Sequence, residues 1–174
     1  RARENWMTRY WQVNSLGYRD REWTPEDWAN KQTVLVVGDS FTAGWGIENT
    51  ADRFSNLLGT KLGAEWAVIN LGLAGSATRS QLKNLQNYPL QNPDVVILQY
   101  FLNDIEDAAL SIGQFQEFPQ SPEWVRDSYL ANFIFSLNSG GFGPAYWQWE
   151  YAAYDDFGIW QIHQQEIFDF ADYV

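Results

Sequence analysis

Three stretches of this chain are dense in apolar residues, and each ends in small or polar ones. Thr33 to Val37 carries no charge and runs into Gly38-Asp39-Ser40. Glu65 to Asn70 leads into Leu71-Gly72, and Val95 to Phe101 into Leu102-Asn103-Asp104. Short apolar runs of this kind suit strands buried on both faces, as in a parallel sheet.

Between the strands the period changes to helical. Phe54, Leu57, Leu58 and Leu62 fall on one side of a helix spanning 51–62, with Asn49-Thr50 as its cap and Gly63 as its stop. A second helix over 77–87 turns Leu82, Leu85 and Tyr88 inward. Alternating strands and helices predict a parallel sheet with right-handed crossovers, in the order 2-1-3. The three strand-end turns then share one edge, where open α/β sheets bind ligands.

The flanks read differently. Asn14 to Asp20 is a turn, and Thr24-Pro25-Glu26-Asp27 opens a short helix with Pro at its first position. After Ile105 the pattern predicts a helix from Ser121 to Leu137, with Leu130, Phe133, Ile134 and Leu137 inward. A loop over 138–144 follows, then an aromatic-rich helical stretch over 146–154. A last helix turns Trp160, Ile167 and Phe170 inward. No fourth or fifth parallel strand is predicted. The chain reads as a single domain: a lead-in over 1–31, a β/α core over 32–104 and a helical, aromatic-rich segment over 105–174.

Composition narrows the function. The length of 174 residues suits one domain. A hydrophobic fraction of 45% against 19% charged residues argues against wholesale disorder. The net charge of -11 disfavours nucleic acid and anionic membranes as partners, and suits neutral or cationic substrates. The absence of Cys removes disulfides, zinc–thiolate sites and a Cys nucleophile. No stretch approaches the roughly 18 apolar residues of a membrane helix. No signal peptide is visible, but the chain opens at Arg1 and its sole Met is Met7, which fits a natural start further upstream. The 10 Trp suit core packing, and also stacking platforms for sugars or clefts for acyl groups.

Chemistry concentrates at the first strand end. Gly38 and Gly44 allow a sharp turn and a close approach of substrate to backbone. Ser40 between them is the candidate nucleophile. A phosphate-binding loop would need a Gly-Lys-Ser/Thr ending, which is absent, and Asp39 would repel phosphate. The Gly-x-Ser-x-Gly elbow fails because Thr42 stands at its second Gly.

Gly38-Asp39-Ser40-Phe41-Thr42-Ala43-Gly44 resembles the first block, Gly-Asp-Ser-x-Thr-x-Gly, of the SGNH (GDSL) hydrolases. Gly72 resembles the Gly of the second block. Asn103-Asp104 resembles the end of the third, Gly-x-Asn-Asp, with Phe101 in place of its Gly. Asn14-x-x-Gly17-Tyr18-Arg19 is similar to a segment upstream of the serine block in some relatives. The resemblance covers residues 14–104. It implies a three-layer α/β/α sandwich, SGNH/flavodoxin-like, ending after the third strand and its following helices.

By the same resemblance Ser40 is the nucleophile of an ester hydrolase. The oxyanion hole would be the backbone N–H groups of Ser40 and Gly72 with the Asn103 amide. No cofactor and no metal is implied. The substrate would be a small ester, a lipid or an acetylated sugar, and the compartment leans extracytoplasmic. Acyl transfer to a glycan hydroxyl is the close alternative, and a non-catalytic glycan-binding or structural domain is a third. The family's last block, Asp-x-x-His, is absent. The sole histidine, His163, follows Trp160-Gln161-Ile162 at helical spacing. It is expected to be a packing or solvent-edge residue, not the base, which would leave this chain by itself inactive or nearly so.

Overall fold

The computed structural model describes residues 9–115 and 142–174. The predicted helix from Ser121 to Leu137, and positions 138–141 of the predicted loop, lie outside the described residues.

Three strands form one parallel sheet: β1 (Gln32–Gly38), β2 (Trp66–Gly72) and β3 (Val95–Gln99). Their order is β2-β1-β3, as the alternation predicts. β1 is central, and its residues from 33 to 38 are all buried. An uncharged strand fits here because both faces are covered and only its backbone polar groups need partners. In the register Gly38 pairs with Gly72 on one side and with Gln99 on the other. All three strands therefore end at the same level.

Helices cover both faces. On one side Leu35, Val37, Ile69 and Leu71 pack with Leu85 of α4 (Thr78–Gln86) and Phe170 of α7 (Phe157–Tyr173). Tyr18 and Tyr88 complete this core, with rings edge to face at 6.0 Å. On the other side lies α3 (Phe54–Leu62). Here the structure corrects the predicted face. Phe54, Leu57 and Leu62 are exposed, and the helix turns Ser55 and Gly59 to the sheet. The reason is a close approach: a Cβ on Gly59 would sit 3.4 Å from Val68 Cβ, and the buried Ser55 hydroxyl receives Asn70 Nδ2 at 2.7 Å. A polar strand residue there selects a small polar helix face.

Local signals explain the remaining elements. α1 (Pro25–Trp28) is opened by Thr24, whose N–H bonds Asp27 Oδ2 at 2.7 Å. Asn49 caps a single 3₁₀ turn at Thr50–Asp52, and α3 starts only at Phe54. Gly63 stops it at φ +87°. A second 3₁₀ turn at Leu102–Ile105 leads into α5 (Glu106–Ser111). The loop is predicted to run to 144, but α6 (Phe142–Asp155) already begins at Phe142. Ile105, Ala108 and Ala109 pack with Ala153 of α6 and Ile159 of α7 in a second core. The predicted inward set of α7 is also corrected. Its buried residues are Ile159, His163, Glu166 and Phe170, while Trp160 and Ile167 are half-buried.

Candidate active site

The β1 chain leaves the sheet at Gly38 and turns at once into α2 (Ser40–Ala43). Gly38 is required by space, because an added Cβ would lie 2.2 Å from Thr42 Oγ1 and 3.0 Å from the Gln99 carbonyl oxygen. Asp39 Oδ1 accepts the Phe41 N–H at 2.8 Å and caps the turn. Thr42 donates its hydroxyl to Gln99 Oε1 at 2.9 Å, which ties the turn to β3. Asn70 Nδ2 reaches the Thr42 carbonyl at 2.7 Å and ties it to β2. Gly44 closes it at φ +80°, where an added Cβ would meet the Arg53 side chain at 2.5 Å.

Beneath this turn lies a buried cationic network supplied by the lead-in. Arg19 is 1% exposed. Its guanidinium donates to the carbonyls of Ala43, Gly44, Ile47 and Glu48, at 3.2, 2.7, 2.6 and 3.2 Å. Arg53, equally buried, pairs with Asp20 Oδ1 at 3.0 Å and bonds the Arg19 carbonyl. Asp20 Oδ2 in turn receives the Asn70 N–H at 3.0 Å. Asn14 Oδ1 organises the lead-in turn by accepting from Leu16 and Tyr18 N–H. The segment Asn14 to Asp20 thus holds the loop after Ser40 from below. Burial lowers both guanidinium pKa values, with their mutual repulsion adding at Arg19, while Asp20 opposes the shift at Arg53.

Within this frame the Ser40 side chain is the exception. It is partly exposed, and Oγ makes no hydrogen bond among the described residues. Its neighbour Asp39 is 1% exposed. Burial pushes the Asp39 carboxyl up, against the N–H groups of Phe41, Asp39 and Thr42 and the Asn103 side chain. Asp104 is buried too, and burial raises its carboxyl to about 7. The Phe101 N–H at 2.6 Å and Gln81 Nε2 at 2.6 Å oppose that rise, while Asp39 and Asp107 add to it.

The structure brings the turns carrying Ser40, Gly72 and Asn103 to one edge. Gly72 packs directly under α2: a Cβ there would lie 2.2 Å from Ala43 N and 2.6 Å from the Thr42 carbonyl carbon. Its own N–H is given to Asn70 Oδ1 at 2.9 Å. Asn103 stands in the 3₁₀ turn after β3, close enough to favour the Asp39 anion. Asn103 Oδ1 and Asp39 Oδ2 are buried and make no direct hydrogen bond. A second glycine, Gly75, lies at φ +77° in the exposed turn after β2, and its N–H bonds no described residue. Only its exposure beside a Gly72 that is already bonded draws attention to it.

His163 sits elsewhere in the fold's economy of polar groups. It is fully buried on the inner face of α7, the packing position of the two expected rather than the solvent edge. Its Nε2 meets the Tyr100 hydroxyl at 2.7 Å, and its Nδ1 meets Glu166 Oε2 at 3.3 Å. Glu166 continues to Arg79 at 2.8 Å. The Tyr100 hydroxyl also bonds that of Tyr154, which reaches the Leu102 carbonyl at 2.9 Å. Burial pushes the Tyr100 phenol up to about 12. No group of three metal-ligating side chains occurs among the described residues, nor any helix long and apolar enough to cross a membrane.

No curated protein and no solved structure matches the chain. The sequence model of the GDSL-like Lipase/Acylhydrolase family matches residues 36–155, from the middle of β1 to the end of α6. The match takes in all three strand-end turns, and the chain belongs to the GDSL-like lipase/acylhydrolase family, hydrolases of the SGNH type.

Proposed function

We propose that this chain carries the nucleophile and oxyanion donors of a serine ester hydrolase. The observation that carries the reading is the contrast at α2. Asp39 Oδ1, the Thr42 hydroxyl and the Thr42 carbonyl are each bonded to the protein, while the partly exposed Ser40 hydroxyl bonds no described residue. Ser40 Oγ would attack the ester carbonyl carbon, its proton passing to a base, and the alcohol would leave from an acyl-enzyme. Water then takes the acyl group, or a second alcohol does, which is the acyltransferase alternative.

The developing oxyanion would be met by the Ser40 N–H, the Asn103 amide and one N–H from the end of β2. Gly72 can serve only by giving up Asn70 Oδ1. The Gly75 N–H needs no such exchange. Losing one donor of this kind costs about 2.7–4 kcal/mol of barrier.

His163 is not the base in this reading, because both ring nitrogens already have protein partners. Without a base the Ser40 hydroxyl keeps its proton at neutral pH, and the chain by itself reacts slowly. The same feature favours the second reading, a glycan-binding or structural domain that retains the turns without turnover.

The test is covalent labelling by a fluorophosphonate, compared among the natural chain, Ser40→Ala and His163→Ala. Slow labelling at Ser40, lost in Ser40→Ala and kept in His163→Ala, is expected. Labelling that survives Ser40→Ala removes Ser40 as nucleophile. Rapid labelling that depends on His163 overturns the exclusion of that residue.

A further inference from the structure

The residue after the nucleophile is an exposed phenylalanine. Phe41 is 56% exposed, and its ring lies 4.5 Å from that of Phe101, tilted by 42°. Phe101 in turn meets Trp147 of α6 edge to face at 6.0 Å, and Trp147 is 38% exposed. Single exposed apolar side chains are ordinary, but rings in contact form a patch that calls for a partner. This patch is continuous with Ser40. Gly38 and Gln99 are paired across the sheet, so Ser40 and Phe101 stand at the same level just beyond the strand ends. Phe101 occupies the position where the resembling block carries Gly, and a Gly there would leave Phe41 and Trp147 without the ring between them.

We infer that Phe41, Phe101 and Trp147 form the wall that holds the uncharged hydrocarbon part of the ester, a medium-length acyl chain, beside Ser40. This rests on the ester-hydrolase reading above and gives its site a substrate class. Two observations select an acyl chain over a sugar ring. A sugar needs hydrogen-bonding groups around the stacking face, and here these turn inward. Gln99 accepts from Thr42 and donates to the Tyr100 carbonyl, and the Tyr146 hydroxyl is given to Glu106 at 2.6 Å. Charge also selects. The chain carries a net charge of -11, and Glu106 accepts from Tyr146, the residue before Trp147. A neutral ester is admitted, and the carboxylate product of its hydrolysis is repelled.

The probes are N-methylacetamide, N-methylpentanamide and N-methylnonanamide, neutral amides that resemble the ester without reacting and whose acyl side carries a methyl, butyl or octyl group. Binding is followed by ligand-observed NMR with the natural chain, Trp147→Ala and Phe101→Leu, each checked for an unchanged melting transition. A Phe101→Gly variant is added if it folds. In the natural chain each added methylene is expected to tighten binding by up to about fourfold. Trp147→Ala is expected to weaken the octyl probe by about tenfold, and to leave the methyl probe unchanged, because only the longer chain reaches that ring. Affinity independent of chain length overturns the inference, whatever Ser40 does. Tighter binding of methyl glycosides than of the octyl amide overturns it in favour of a sugar. Chain-length dependence with no fluorophosphonate labelling at Ser40 leaves the wall standing and removes the hydrolase reading instead.

Discussion

The strand-end edge around Ser40 and the helix pair around His163 use polar side chains in opposite ways. At the edge, buried groups from three segments converge on backbone: Arg19 on the carbonyls of Ala43, Gly44, Ile47 and Glu48, Asn70 on Thr42, Asp39 on Phe41. The reward is a rigid turn whose one reactive side chain is unbonded. Between α6 and α7 the polar side chains converge on one another. Tyr154, Tyr100, His163, Glu166 and Arg79 are linked one to the next. A histidine spent in this way fixes the helix packing, and a serine left out of its network is available for chemistry. The residue type alone does not distinguish a catalytic group from a structural one; the distribution of its partners does.

The largest effect expected from breaking this contrast is at Arg53. Arg53→Met leaves the Asp20 carboxylate buried without its cation, and should lower unfolding stability by about 3–5 kcal/mol in a urea titration. A loss under about 1 kcal/mol would show that the network does not anchor the turn.

Next comes a pH dependence centred on Asp104. Its carboxyl is raised by burial to about 7 in the folded chain, so the folded state holds this proton more tightly than the unfolded one. Stability from this group is therefore complete below the unfolded carboxylate range, near pH 4, and is lost as pH rises to about 7. The loss should amount to a few kcal/mol. Asp104→Asn should flatten that part of the stability–pH curve, and an unchanged slope would refute the assignment.

Gly72 and Gly75 sharpen the comparison inside the edge itself. Gly72→Ala forces a Cβ onto the backbone of α2, and should cost about 1–3 kcal/mol and slow Ser40 labelling. Gly75→Ala meets no atom within 4 Å and strains only its positive φ, a cost of about 1 kcal/mol. Equal stability losses in the two would contradict the packing of Gly72 under Ser40.

The smallest effect on chemistry belongs to His163. His163→Gln should cost about 1–3 kcal/mol of stability by unpairing Tyr100 and Glu166, yet change Ser40 labelling by less than about twofold. A large fall in labelling without a fall in stability would place His163 in the reaction.

Periodicity and end signals were enough for the sheet. Uncharged β1, the alternation of strands with helices and the small residues after each strand determine a parallel order with the turns on one edge. Those are local properties, carried by hydrophobic pattern and backbone geometry, and Ser40 and Asn103 are legible for the same reason. The face of α3 was not legible. Four hydrophobic residues at helical spacing pointed one way, and the approach of Gly59 to Val68 with the demand of buried Asn70 for Ser55 turned the helix the other way. The burial of His163 was hidden likewise, because its partners Tyr100 and Tyr154 lie 63 and 9 positions away in the chain. The binding of Gly72 N–H by Asn70 and the grip of Arg19 on the loop after Ser40 also arise only when separate segments meet. A strand's place follows from its own residues; the partner of a buried polar group depends on what the rest of the chain delivers beside it, and only the tertiary structure decides that.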